Sequence, residues 1–192
     1  MTQTPMTEPE QLARLTIACE ALGFSMSCDP LTGALLRTLA ASKPAGRILE
    51  LGTGAGMSAA WIIAGMSADA ALVSVENSEE LVDTARSVLG DDPRVTFLHL
   101  DAATYLAEPD GSLFDLVFAD TWAGKFDQLP EALALLAEGG VFVVDDLNPQ
   151  LNWPDGHAPK VVDFKRSMHG NPGLFVTELD WSTGIMIATR AD

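Results

Sequence analysis

The chain has 192 residues, 47% hydrophobic and 20% charged, which suits one globular domain with a substantial core. Its 27 acidic residues outweigh 11 basic ones, and the formal net charge of −16 repels phosphate backbones and anionic membranes, so neither nucleic acid nor membrane is an expected partner. No apolar run can span a bilayer, the opening MTQTPMTEPE is too polar for a secretory leader, and Cys19 and Cys28 alone make neither a disulfide framework nor a zinc site, so a cytoplasmic setting is expected.

The elements alternate between two periods. Residues 8–23 carry Leu12, Leu15, Cys19 and Leu22 on one helical face, with Gly23 as the stop. A second helix is predicted over 30–42, opened by Pro30. RILEL at 47–51 reads as the first strand and is followed by a helix over 56–66. ALVSVE at 71–76 is the second strand, and SEELVDTARSVLG the helix after it. VTFLHL at 95–100 and FDLVFAD at 114–120 are the third and fourth strands, with a short helix between them. A helix is predicted over 127–138, ended by Gly139 and Gly140, then a fifth strand, VFVVD, at 141–145. A loop over 146–158 leads to a helix over 159–169. LFVTEL and GIMIATR close the chain as a hairpin joined by DWST. The expected fold is α/β: a doubly wound, mostly parallel seven-stranded sheet, helices on both faces, and a C-terminal antiparallel hairpin. No repeat or linker divides it, so 1–192 reads as a single domain, with N-terminal helices over 1–42 and the sheet core over 43–192.

In such a sheet the ligand lies beyond the carboxyl ends of the strands, where strand order reverses. Strand one ends in ELGTGAG, residues 50–56, and Gly52, Gly54 and Gly56 allow a tight turn and close backbone approach. Met57 stands where a dinucleotide fingerprint has its third glycine, and no Lys-Ser/Thr pair follows as in a P-loop. A plain strand-to-helix turn does not require three glycines. Glu76 ends strand two and is placed to accept both hydroxyls of a ribose; a solvated strand-end carboxylate is the bland alternative. Asp101 ends strand three, suited to an adenine amino group or to capping the next helix.

ILELGTGAGMSAAWI, VSVE, LHLDA, FDLVFADTW and LAEGGVFVVDDL, in this order and spacing, resemble the class I S-adenosylmethionine-dependent methyltransferases. Within them the chain is similar, over roughly residues 24–190, to small-molecule O-methyltransferases of the catechol and caffeoyl-coenzyme A type. The resemblance implies a Rossmann-like methyltransferase fold and S-adenosylmethionine as cofactor. Glu50, Gly52, Gly56 and Ser58 match the first motif, with Ser58 meeting the cofactor carboxylate, and Met26 and Gly33 match a Met-to-Gly spacing ahead of strand one. The cofactor set is therefore Met26, Glu50, Gly52, Gly54, Gly56 and Ser58 at the methionyl end, Glu76 on the ribose, and Asp101 with Ala102 near the adenine. Asp120 and Trp122 complete it, matching an Asp-x-Trp at the end of strand four. Asp145-Asp146 resembles a strand-five Asp-Asn, which with Asp120 implies a Mg²⁺-type site.

The chain departs from that pattern twice. Ala123 occupies the place of the catechol enzymes' lysine base, two residues before Lys125, and the strand-five pair is Asp-Asp. The catalytic candidates are thus Asp120, Lys125 and His157. His157 lies in the loop after strand five with Trp153, which is placed to stack on an aromatic acceptor; a packed lid with a surface histidine is the bland alternative. Neighbouring strand ends stand about 5 Å apart, so at least two of the three aspartates should converge on a cation or share a proton. Against the metal, Asp120 can simply offset a sulfonium charge, and adjacent residues of a strand point to opposite sides. The expected activity is methyl transfer to a small-molecule acceptor, through oxygen by resemblance, in a chain expected to form a homodimer. The rivals are aminopropyl transfer of the polyamine synthase type and a cofactor-binding protein without turnover; Ser58, placed for a cofactor carboxylate, argues against the first.

Overall fold

The computed structural model describes residues 7–151 and 153–191; positions 1–6 of the polar opening stretch lie outside the described residues. The strands are β1 (Arg47–Leu51), β2 (Ala71–Glu76), β3 (Val95–His99), β4 (Phe114–Ala119), β5 (Leu136–Val144), β6 (Leu174–Leu179) and β7 (Ile185–Arg190). The helices are α1 (Leu12–Leu22), α2 (Pro30–Ala41), α3 (Met57–Gly65), α4 (Glu79–Leu89), α5 (Ala102–Ala107), α6 (Leu129–Ala134) and α7 (His157–His169). None of the described helices is long and apolar enough to cross a membrane.

Apart from Glu50, the buried residues of β1 and β4 are apolar on both faces, and a strand of that kind is stable only in the middle of a covered parallel sheet. They occupy that place in the order β3-β2-β1-β4-β5-β7-β6. β1 through β5 pair in parallel, and β7 runs antiparallel to both β5 and β6. Alternate residues feed two cores. Ile48, Leu116, Phe118 and Val143 pack with α2, α3 and α4 on one face. Leu49, Leu51, Val117, Phe142 and Val144 pack with α5, α6 and α7 on the other. From β1 the chain winds outward through β2 to β3, then returns to place β4 on the other side of β1. The crevice above the β1–β4 pair is therefore the switch point.

The α6–β5 boundary differs from the sequence expectation. The helix ends at Ala134, and residues 136–138 belong to β5. Leu135 and Leu136 are buried, and Phe114 N–H donates to the Leu135 carbonyl at 2.8 Å, so pairing with β4 starts there. The register then jumps from Phe114↔Leu136 to Leu116↔Val141. Gly139, at φ 68°, and Gly140, whose Cβ would meet the Ala137 and Phe114 carbonyls, shape that bulge and do not end a helix. Likewise α7 begins at His157, behind Gly156 at φ 84°, two residues earlier than expected.

The helix α3 is buried nearly all round, Trp61 included, and packs closely on α2. A Cβ at Gly65 would meet the backbone carbonyl of Arg37 in α2. Helix propensity alone would make Gly65→Ala stabilising by about 1 kcal/mol. A clash against backbone that cannot swing aside reverses the sign. Gly65→Ala is expected to lower stability by roughly 1–3 kcal/mol, read as a lower urea midpoint at unchanged m-value. A raised midpoint would show that the two helices separate freely.

Candidate active site

The site begins with a turn that only glycines can make. Gly52, Gly54 and Gly56 all have positive φ, at 99°, 52° and 98°. Gly52 and Thr53 N–H groups donate to the Val75 carbonyl at 2.9 and 3.1 Å, drawing the turn towards β2. On its other side a Cβ at Gly52 would meet the Asp120 carbonyl at 2.8 Å. Glu76 completes the clamp: its two carboxylate oxygens accept from Gly54 N–H at 2.9 Å and Ser78 N–H at 3.0 Å.

Over this turn lies a cavity of about 720 Å³ spanning the carboxyl ends of β1, β2, β4 and β5. One half is lined by Gly52, Gly54, Ser58 and Glu76, roofed by the segment from Phe24 to Asp29 that carries Met26. The other half is lined by Asp120, Trp122, Lys125, Asp145, Asp146, Trp153 and His157. Four of the expected residues stand outside the lining. Gly56 backs onto Ala85 and Leu89 of α4. Asp101 accepts from Ala103 and Thr104 N–H at the start of α5, and Ala102 is buried beside it. Glu50 is 0% exposed and lies beneath the turn. Gly33 is remote too, packed against the Trp61 ring.

Ser74 donates to one Glu50 oxygen and shares a 2.6 Å hydrogen bond with Thr53, while the other Glu50 oxygen has no partner. Burial pushes the Glu50 carboxyl up to about 7, against the weaker downward pull of the Ser58 and Ser74 hydroxyls.

The three aspartates converge. One carboxylate oxygen of each lies within 4.8 Å of the others. Ala119 and Val144 are partners in the β4–β5 ladder, so the residues that follow, Asp120 and Asp145, emerge side by side. Asp146 joins them because its φ of 56° breaks the strand alternation and turns its side chain back. Thr183 holds the Asp146 N–H at 3.2 Å, and Gln150 donates to its carboxylate at 2.7 Å. Burial pushes Asp120 and Asp145 up; Asp145 raises Asp120 further, and Lys125 draws both down. Asp145 Oδ1 has no hydrogen-bond partner. Three clustered carboxylates, one with an unsatisfied oxygen, fit a hard, oxygen-ligated cation.

His157 is 5% exposed, not a surface residue. It stacks on Trp153 with centroids 4.4 Å apart and meets the Phe126 ring edge-on at 5.0 Å. Its Nε2 lies 3.4 Å from the Asp146 carbonyl, which can only accept, so the proton sits on Nε2 and Nδ1 keeps its lone pair. Burial holds the imidazole below its usual range, in the neutral form. Phe126, Gln150, Cys28 and Thr183 belong to the site but follow no motif; Thr183 comes from the β6–β7 turn.

Residues 49–147, from β1 to just past β5, match the family model described as a methyltransferase domain. The chain belongs to that family. A Mycobacterium ulcerans protein that bears an O-methyltransferase name is 35% identical over 122 residues, 60% of this chain and 54% of its own length. This methyltransferase-domain chain thus spans about half the length of the curated relatives it matches. Among solved structures, a Klebsiella pneumoniae protein that likewise bears an O-methyltransferase name is 26% identical, with 98% and 92% of the two chains covered and a TM-score of 0.82. The O-methyltransferase TomG of Streptomyces achromogenes, solved with S-adenosylmethionine, is 25% identical, with 97% and 92% covered and a TM-score of 0.80. Cofactor-bound Rv0187 of Mycobacterium tuberculosis shares the fold at a TM-score of 0.84 with 24% identity, covering 99% and 100%.

The buried carboxyl of Glu50 has a consequence for stability. It keeps its proton in the folded chain up to about pH 7, whereas the unfolded chain releases it near the ordinary glutamate value of 4.5. Stability conferred by the protonated form is therefore complete below the unfolded value and is lost as pH rises through the folded one, by roughly 3 kcal/mol. Glu50→Gln is expected to remove that loss, which urea unfolding at pH 5 and pH 7.5 would show as a smaller pH dependence than wild type. Equal dependence in both proteins would place the titrating group elsewhere.

Proposed function

We propose that this chain transfers the methyl group of S-adenosylmethionine to an oxygen of a small-molecule acceptor. The observation that carries this reading is one continuous cavity joining a glycine turn with a strand-end glutamate to a cluster of acids and aromatic rings. The bound cofactor named for TomG supports the choice of cofactor. In this reading Met26, Gly52, Gly54 and Ser58 hold the methionyl end and Glu76 the ribose, with Asp101 and Ala102 towards the adenine. Glu50 and Gly56 shape the turn from behind it. Asp120 and Trp122 flank the sulfonium, and Ser58 answers a cofactor carboxylate, which disfavours aminopropyl transfer.

The reaction forms an oxygen–carbon bond as the sulfur–methyl bond breaks, and the acceptor loses its proton. The chain must align the oxygen with the methyl and receive that proton. Neutral His157, which lines the same cavity, is the residue suited to take up that proton, and the Lys125 ammonium favours negative charge on the oxygen. A Mg²⁺-type ion, when bound, would be held by Asp120, Asp145 and Asp146 and would lower the pKa of the acceptor oxygen. The acidic chain supports a small-molecule acceptor over nucleic acid. A cytoplasmic setting and a homodimer belong to the same proposal, as does a single domain with a helical cover over 1–42 and a Rossmann-like core over 43–192.

Calorimetric titration with S-adenosylhomocysteine tests the cofactor half. Glu76→Ala is expected to weaken binding roughly 10- to 100-fold, the loss of hydrogen bonds to a charged acceptor. A wild-type chain that binds NAD and not S-adenosylhomocysteine would overturn the reading. Turnover of phenols with labelled cofactor tests the proton acceptor. Full activity in excess chelator, with a loss of about 100-fold or more in His157→Ala, assigns the proton to His157. Abolition by chelator and recovery with Mg²⁺ assigns the assistance to the metal.

A further inference from the structure

Lys125 is 3% exposed and belongs to the lining of two cavities. One is the cavity already described; the other, of about 370 Å³, lies between α6 and α7 over a floor that includes Phe126, Leu129 and Phe164. Lys160 of α7 stands at the second cavity, its ammonium 4.9 Å from the Trp122 ring centroid and 5.9 Å from that of Phe126. It therefore overhangs the wall between the two.

A buried ammonium is costly unless something answers its charge. The Lys125 side chain makes no ion pair and no hydrogen bond among the described residues; its ammonium stands 5.4 Å from the Phe126 ring centroid, and Asp120 and Asp145 attract it from the first cavity without closing to pairing distance. Lys160 is paired with Asp127 at 3.1 Å, but the two side chains are 35% and 57% exposed. Such an exposed pair adds little to stability and exchanges readily for a better partner. Asp163, the acid in the second cavity's lining, is turned to solvent in an exposed pair with Arg166 at 2.6 Å, the two side chains 72% and 73% exposed. In a chain of net charge −16, this cavity gathers one buried cation without an ion pair and a second held only in a solvent-exposed pair, over an apolar floor.

We propose that the second cavity binds an anionic group, a carboxylate or phosphate, at the far end of the acceptor whose reacting oxygen occupies the first cavity. The anion answers Lys125 and Lys160, and the carbon that bears it covers Phe126 and Phe164. Only the reacting end rests on the methyl-transfer reading; the anionic end rests on the second cavity.

Calorimetric titration with benzoate, phenyl phosphate and benzyl alcohol tests it without turnover. Both anions are expected to bind at least tenfold more tightly than benzyl alcohol. Lys160→Met should weaken both by about tenfold or more, while Lys165→Met, at a lysine elsewhere on α7 that pairs with Glu178 of β6, leaves them unchanged. Ser167→Phe fills the second cavity from an exposed position and should abolish anion binding while S-adenosylhomocysteine binding persists. Equal affinity for the alcohol and the anions, or anion binding indifferent to Lys160→Met and Ser167→Phe, overturns the proposal. Lys160-dependent anion binding in a wild-type chain that fails to bind S-adenosylhomocysteine would sustain the subsite and remove the methyl-transfer reading.

Discussion

The site depends on the absence of side chains at the end of β1. Gly52 sits where the β2 carbonyl of Val75 takes its N–H and the Asp120 backbone leaves no room for a Cβ. Both constraints act on one residue, because β1 is the central strand and has a parallel neighbour on each side. An L-residue there would be strained in φ and would collide with β4 as well. With the glycine, the chain turns sharply enough to start α3 and leaves the crevice at the switch point open. The groups that line the first cavity reach the ligand space across that opening.

The polar groups around the opening are held at a cost to folding. Glu50 and Asp145 are buried acids pushed towards protonation, His157 is a buried base pushed towards neutrality, and Lys125 is a nearly buried cation. A core of the same volume made of apolar residues would be more stable. The groups cluster beyond the ends of β4 and β5 or beneath the glycine turn, where perturbed titration is of chemical use. The rest of both cores is apolar apart from hydroxyls such as Thr32.

The two cavities share a wall because α6 is short. Its end at Ala134 lets β5 begin early, through the glycine bulge, and α7 then returns over the same region from Gly156. Lys125 and Phe126 fill the space between. This places a lysine beside the acids of the first cavity and at the cationic side of the second, so one side chain can respond to charge in either.

The amino-acid sequence determined the strands, the glycine turn and the strand-end acids. These follow from local pattern: RILEL and ALVSVE are strands of the expected length because runs of that kind survive only in a covered parallel sheet. The turn at 52–56 was legible because glycine is the residue that adopts its φ values. Tertiary structure decided the rest. Whether Leu135 and Leu136 belonged to a helix or a strand depended on pairing with Phe114, far away in sequence. The side to which Asp146 points depended on a left-handed φ that strand alternation does not foresee, and the depth of Glu50 on what packs above it. Thr183 reached the site only because the β6–β7 turn folds back beside β5, and Lys125 met a second cavity only because α6 and α7 both contribute to its lining. Local pattern reports which face of an element seeks burial; which side chains then meet is set by neighbours tens of residues away.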